Sequence, residues 1–157
     1  MLKAVKVTNE TLPISWVHSV DKVREESKTF AGFSQELIET MSKEKVAIHF
    51  HNWSVLEEDC LAIDSLRAFF KLTSINQHPE GKRYVTGFEA HNYPIYSVIY
   101  HPEYQMMMNP TPTNMAIAKG FSDLIFNEAK KNYQQREQKK GMMLPEAIDS
   151  GCTLGMY

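Results

Sequence analysis

Two segments, VAIHF (46–50) and PIYSVIY (94–100), are apolar almost without interruption. A half-exposed strand alternates apolar and polar residues, whereas continuous runs of this kind belong to strands covered on both faces. The chain must therefore provide layers on either side of a sheet, or find them elsewhere. The other segments fit a layered α/β fold. LKAVKV (2–7), LPISWV (12–17), KVAIHF (45–50), YVTGFEA (84–90) and PIYSVIY read as strands. Pro13 confines the second of these to an edge or an entry. Ser34 is placed to cap a helix running to about Ser42, with Phe33, Leu37, Ile38 and Met41 on one face. Asp64 caps a short helix that turns Leu66, Phe69 and Phe70 toward the core. Asn114 opens the longest helix, reaching about Gln134, with a stripe of Ile117, Phe121, Leu124, Ile125 and Ala129. Asp21–Lys28, NQHPEGKR (76–83), HNYP (91–94) and 101–113 read as turns or loops. Residues 1–134 form one domain, and 135–157 an extended tail.

The length of 157 residues suits a single core. Seventeen basic side chains against nineteen acidic ones leave a net charge of −2, so no basic field invites nucleic acid. No apolar run reaches the roughly 18–20 residues that span a bilayer, and the first residues carry no apolar signal core. Two cysteines, Cys60 and Cys152, are too few for a disulfide framework. No His, Cys, Asp or Glu spacing suggests a metal site, and no cofactor motif is present. Asn9 and Asn52 each open an Asn-x-Ser/Thr sequon.

Chemistry concentrates where PIYSVIY ends in His101-Pro102-Glu103, since functional groups gather at the carboxyl ends of strands in α/β sheets. Pro102 biases His101 toward an extended conformation, and extended residues two apart face the same way. Glu103 can then hold the His101 imidazole as the acid holds the base in a nucleophile-base-acid triad. His78-Pro79-Glu80 is the same tripeptide, but it sits beside Gly81 among polar residues and reads as a plain turn. His18, His49 and His91 read as surface or satisfied core histidines. Met106, Met107 and Met108 read as a packing patch.

FEAHNYPIYSVIYHPE (88–103) resembles the segment that closes the catalytic strand of gamma-glutamyl hydrolases, members of the class I glutamine-amidotransferase-like superfamily. Glu89, Tyr93, Pro94, Tyr96, Tyr100, His101, Pro102 and Glu103 fit that pattern. HFHNWSV (49–55), SLRAFFKLTSIN (65–76) and FSDLIFNEAKKN (121–132) resemble further family segments in the same order, so the similarity covers about residues 5–134. The resemblance implies the C-terminal half of a three-layer, flavodoxin-like sheet with flanking helices. It implies His101 as general base, Glu103 as its orienting acid, and His51 and Glu89 in the substrate pocket. It implies hydrolysis of gamma-linked glutamate, as in folate polyglutamates, through a cysteine thioester, in a vacuolar, lysosomal or secreted setting. The family's Gly-x-Cys-x-Gly nucleophile turn has no counterpart among these residues, and Ile99 stands where the family usually has Gln. Acidic neighbours disfavour a Cys60 thiolate. The expectation is a chain inactive alone, with its nucleophile on another segment. The alternative is an inactive homologue serving as a structural or interaction subunit. Either way, another polypeptide or self-association is expected to cover the incomplete sheet.

Overall fold

The computed structural model describes residues 2–140. They form a mixed α/β arrangement in which every described strand pairing is antiparallel. Parallel pairing, which a flavodoxin-like sheet requires, is not among them.

Strand β1 (Leu2–Leu12) pairs with β3 (Ala47–Val55) in a two-stranded sheet. Strand β1 is longer than LKAVKV predicted, because its second half, TNETL, is held by β3 and not by apolar periodicity of its own. The ladder slips twice, between Ala4 and Val7 and between Thr8 and Glu10. At the second slip Asn9 takes a left-handed φ of 56°. Strands β2 (Ser15–Trp16), β4 (Phe70–Gln77), β5 (Arg83–Ala90) and β6 (Tyr96–Val98) form a second sheet in the order β2-β4-β5-β6. The Leu56–Tyr84 bridge and the Ser54 hydroxyl, which donates to the Val85 carbonyl at 3.2 Å, tie the two sheets together.

Coverage on both faces holds for Ala47, Ile48 and His49 but ends at Phe50, which is 63% exposed. Trp53 is 59% exposed. In PIYSVIY only Tyr96–Val98 is strand, and its residues are half-buried.

The main core gathers Ile14, Phe30, Phe33, Ile38, Met41, Ala47, Tyr100 and Ile117. A 3-10 turn (Val20–Lys22) and the one-turn helix α1 (Val23–Glu26) precede it, where the sequence suggested a loop. Helix α2 (Gln35–Lys43) begins as predicted, with the Ser34 hydroxyl accepting from the Leu37 amide at 3.2 Å. Ile38 and Met41 are fully buried on its inner face. Phe30, Phe33 and Phe121 meet edge to face, with centroids 5.2–5.9 Å apart. Gly120 permits this approach: a Cβ there would lie 2.5 Å from the Phe33 ring.

Helix α3 (Glu57–Ala62) and helix α4 (Asp64–Phe69) lead into β4. Asp64 is the first helical residue and makes no side-chain cap; it pairs instead with Arg67. Phe69 is 38% exposed and stacks on Tyr93, so it faces outward where a core position was expected.

Residues 101–113, predicted as loop, contain helix α5 (Pro102–Met108). Proline removes the residue before it from helical geometry, yet it suits the first helical position itself, where its missing N–H is not needed. Helix α6 (Pro112–Lys140) starts two residues before Asn114, with the Thr111 hydroxyl accepting from the Asn114 amide at 3.2 Å. Ile117 is buried, and Phe121 and Leu124 are half-buried, but Ile125 is 70% exposed. At roughly 100° per residue, Ile125 and Ala129 lie roughly 80° and 120° around the helix from Ile117, off the predicted stripe.

From Phe126 the chain forms a second compact unit. Its described part, residues 126–140, is helical, with Lys131 paired to Glu128 at 2.6 Å. The expected tail from 135 is therefore helical as far as Lys140. Its remainder, 141–157, with Cys152, lies outside the described residues. No described helix is long and apolar enough to cross a membrane.

Candidate active site

The backbone N–H of His101 donates to the Ile48 carbonyl at 2.9 Å, which fastens the start of α5 beside β3. From there His101 Nδ1 lies 2.9 Å from Glu103 Oε1. The predicted pair therefore meets, but from the first turn of a helix and not from an extended strand. An ionised carboxylate can only accept, so Nδ1 carries a proton, and in the neutral ring Nε2 keeps its lone pair. Among the described residues Nε2 has no hydrogen-bond partner. The His101 and Glu103 side chains are 42% and 64% exposed. A pair so exposed adds little stability; its structural effect is to orient the ring.

His51 sits on β3 with both ring nitrogens engaged. Its Nδ1 is 3.0 Å from the Val5 carbonyl, and its Nε2 is 3.3 Å from His49 Nδ1. A carbonyl only accepts, so His51 Nδ1 donates to Val5. His51 Nε2 must then accept, and His49 Nδ1 donates to it. Val5 lies in the first slip of the β1–β3 ladder, so the imidazole replaces a missing strand contact. Among the described residues, His49 Nε2 is left as a buried lone pair without a hydrogen-bond partner, and the buried hydroxyls of Tyr84 and Tyr100 likewise have none. Both tyrosine rings pack about the His49 ring, at 6.0 and 6.1 Å.

This burial keeps the cluster neutral. The His49 imidazole is pushed down to about 4 by burial, aided by His51 and His101. His51 is also lowered by burial, and by His101 and His78, against the Val5 bond that favours its charged form. Burial, with Glu10 nearby, drives the Tyr84 phenol up to about 12, and burial raises Tyr100 as well. The sequence reads His49 as a surface or satisfied core histidine and gives no role to its contact with His51. The signal was present, since His49 and His51 are two apart in a strand, the same spacing used for His101 and Glu103.

Glu89 is 1% exposed. Its carboxylate accepts from the Ser27 hydroxyl at 2.9 Å, the Thr29 amide at 2.9 Å, the Thr29 hydroxyl at 2.7 Å and the Lys28 amide at 3.0 Å. Lys71 Nζ approaches it at 3.3 Å. Burial alone would raise this carboxyl, but the donors outweigh it and hold Glu89 below its usual range. The residue is thus engaged within the chain, tying the Ser27–Thr29 turn to β5.

Cys60 is a buried thiol in α3, packed with Leu72 and Val85, and burial raises its pKa. That disfavours the thiolate a nucleophile needs. Ile99 lines a shallow groove of about 170 Å³ with Leu2, Trp53, Val85, Phe88 and Val98. No group of three or more His, Cys, Asp or Glu among the described residues could hold a metal ion.

The other His-Pro-Glu tripeptide fills the β4–β5 turn, closed by Gly81 with a φ of 86°. There the Glu80 amide donates to His78 Nδ1 at 3.3 Å, so Nε2 is protonated and donates to the Lys6 carbonyl at 3.2 Å.

No family model matches the chain. Among characterised proteins, mouse gamma-glutamyl hydrolase is 24% identical over 140 residues, covering 84% of this chain and 42% of the mouse protein. The human enzyme of that name is 28% identical over 114 residues, covering 68% of this chain and 35% of its own length. The cattle protein is 32% identical over 79 residues, covering 50% and 24%. The chain is thus a distant relative of gamma-glutamyl hydrolases and spans less than half the length of each of these curated relatives.

Proposed function

We propose that this chain is the general-base half of a gamma-glutamyl hydrolase-like site within a class I glutamine-amidotransferase-like, flavodoxin-like fold. The observation that carries the reading is the 2.9 Å contact from His101 Nδ1 to Glu103 Oε1, which leaves Nε2 as the open base. In this reading a Gly-x-Cys-x-Gly turn on another segment supplies the thiol. His101 Nε2 takes its proton, and the thiolate attacks the gamma-amide carbonyl of a gamma-linked glutamate. His101 then returns the proton to the departing amine, and water hydrolyses the thioester with His101 again as base. His51 lines the pocket through its ring, since both its nitrogens are engaged. Glu89 shapes the pocket through the Ser27–Thr29 turn that it anchors.

The purified chain alone should release no glutamate from a gamma-linked glutamyl peptide. A second polypeptide bearing the cysteine turn should restore release. Turnover by the chain alone that vanishes on Cys60→Ala or Cys152→Ala would overturn the assignment.

A second reading, an inactive structural or interaction subunit, is favoured by the apolar exposure of the β1–β3 sheet. Leu2, Phe50 and Trp53 are 64%, 63% and 59% exposed, and apolar surface of this kind marks an interface when it is contiguous. Both readings require a partner polypeptide or self-association over this sheet. Size-exclusion with light scattering tests that: a stable monomer that binds no hydrophobic dye would sink it.

A further inference from the structure

We infer that Asn9 is an N-glycan acceptor, and that the chain passes through a compartment holding lipid-linked oligosaccharide. Asn9-Glu10-Thr11 is an acceptor sequon. The fold presents it unusually well. Asn9 falls in the second slip of the β1–β3 ladder, where pairing passes from Thr8–Phe50 to Glu10–His49 and leaves it without a partner residue. Its φ of 56° is left-handed, a conformation that asparagine tolerates better than most residues. It is exposed, and its side-chain amide makes no hydrogen bond among the described residues. A sugar on Nδ2 therefore displaces no contact of the folded chain.

The second sequon, Asn52-Trp53-Ser54, is set differently. Asn52 is exposed, but Ser54 is buried and its hydroxyl is committed to Val85 across the sheets. Asn52 also adjoins His51, whose ring sustains the His49 contact.

In the transfer, Asn9 Nδ2 forms a bond to C1 of the first sugar of a lipid pyrophosphate-linked oligosaccharide. The C1–O bond to pyrophosphate breaks, the lipid pyrophosphate leaves with the electron pair, and Nδ2 gives up one proton to solvent. No oxidant or reductant is needed.

The experiment maps glycopeptides of the natural protein purified from its source cells. Enzymatic removal of N-glycans in heavy-oxygen water converts an occupied asparagine to a labelled aspartate. The label is expected on the peptide containing Asn9. In the same cells, Asn9→Gln should abolish the mobility shift that deglycosylation causes, or reduce it if Asn52 is also occupied. An Asn9 peptide recovered entirely unlabelled would overturn the inference, whether or not Asn52 carries sugar.

Discussion

The chain contains the tripeptide His-Pro-Glu twice, and the fold gives the copies opposite chemistry. In the β4–β5 turn, His78 Nδ1 accepts from the Glu80 amide and Nε2 donates to Lys6. Both nitrogens are engaged by backbone, and the Glu80 carboxylate stays 3.8 Å away. At the start of α5, His101 Nδ1 donates to the Glu103 carboxylate and Nε2 is left open. The difference arises downstream of the proline. Gly81 bends one copy into a turn, where the amide of the acidic residue swings onto the ring. Helix α5 carries the other copy, where the first turn brings the carboxylate there instead. A three-residue motif thus fixes no role until its backbone is known.

The largest test of this contrast is a pair of alanine substitutions in a polypeptide that joins the chain to a cysteine turn. His101→Ala should lower glutamate release by at least about a thousandfold, as loss of a general base does. His78→Ala should leave it within about twofold, and equal losses in steady-state assays would erase the distinction.

Acid stability comes next, because His51 feels both His101 and His78 and is bonded to His49. The His49 pKa falls from 6.5 to about 4 on folding, so the unfolded chain binds more protons between those values. This contribution is complete above about pH 6.5 and is lost as pH falls toward 4. The loss should amount to about 3 kcal/mol, read from urea unfolding at a series of pH values. His78→Ala should change that slope only slightly, since His78 is the smallest of the causes acting on His51 and does not act on His49, whereas His49→Gln should flatten it.

Smaller again is the effect of the acids. Glu103→Gln should reduce release by about tenfold to a hundredfold, since the ring loses its charged orienting partner. Glu80→Gln should leave release unchanged. The smallest effect expected is on stability: His78→Ala removes two exposed side chain–backbone bonds at a turn and should destabilise the chain by about 1 kcal/mol, measured by denaturant titration.

Much of this arrangement was legible in residue order. Ser34 caps α2 because a hydroxyl before an apolar-periodic run meets the amide three residues on. Gly81 closes the β4–β5 turn because it alone accepts that φ without strain. The contact between His101 and Glu103 was expected, but for a different reason: Pro102 bars helix at His101 and yet starts one at its own position. What stayed hidden depends on distant partners. The second half of β1 is strand because β3, some forty residues away in sequence, pairs with it. His49 looked ordinary because only the slipped ladder brings His51 and the carbonyl of Val5 into line with it.

The Glu89 anchor has a dynamic consequence. Residues 27–29 belong to no strand or helix, yet the amides of Lys28 and Thr29 both donate into that carboxylate. Solvent can reach those amides only if the carboxylate is released as well. The turn and the end of β5 should therefore open as one cooperative unit, with a loop exchanging its hydrogens as slowly as the strand that holds it. Lys28 extends the coupling by donating to the His91 carbonyl. The Tyr93-Pro94 bend, which feeds the segment ending at His101, is thereby damped from its upstream side.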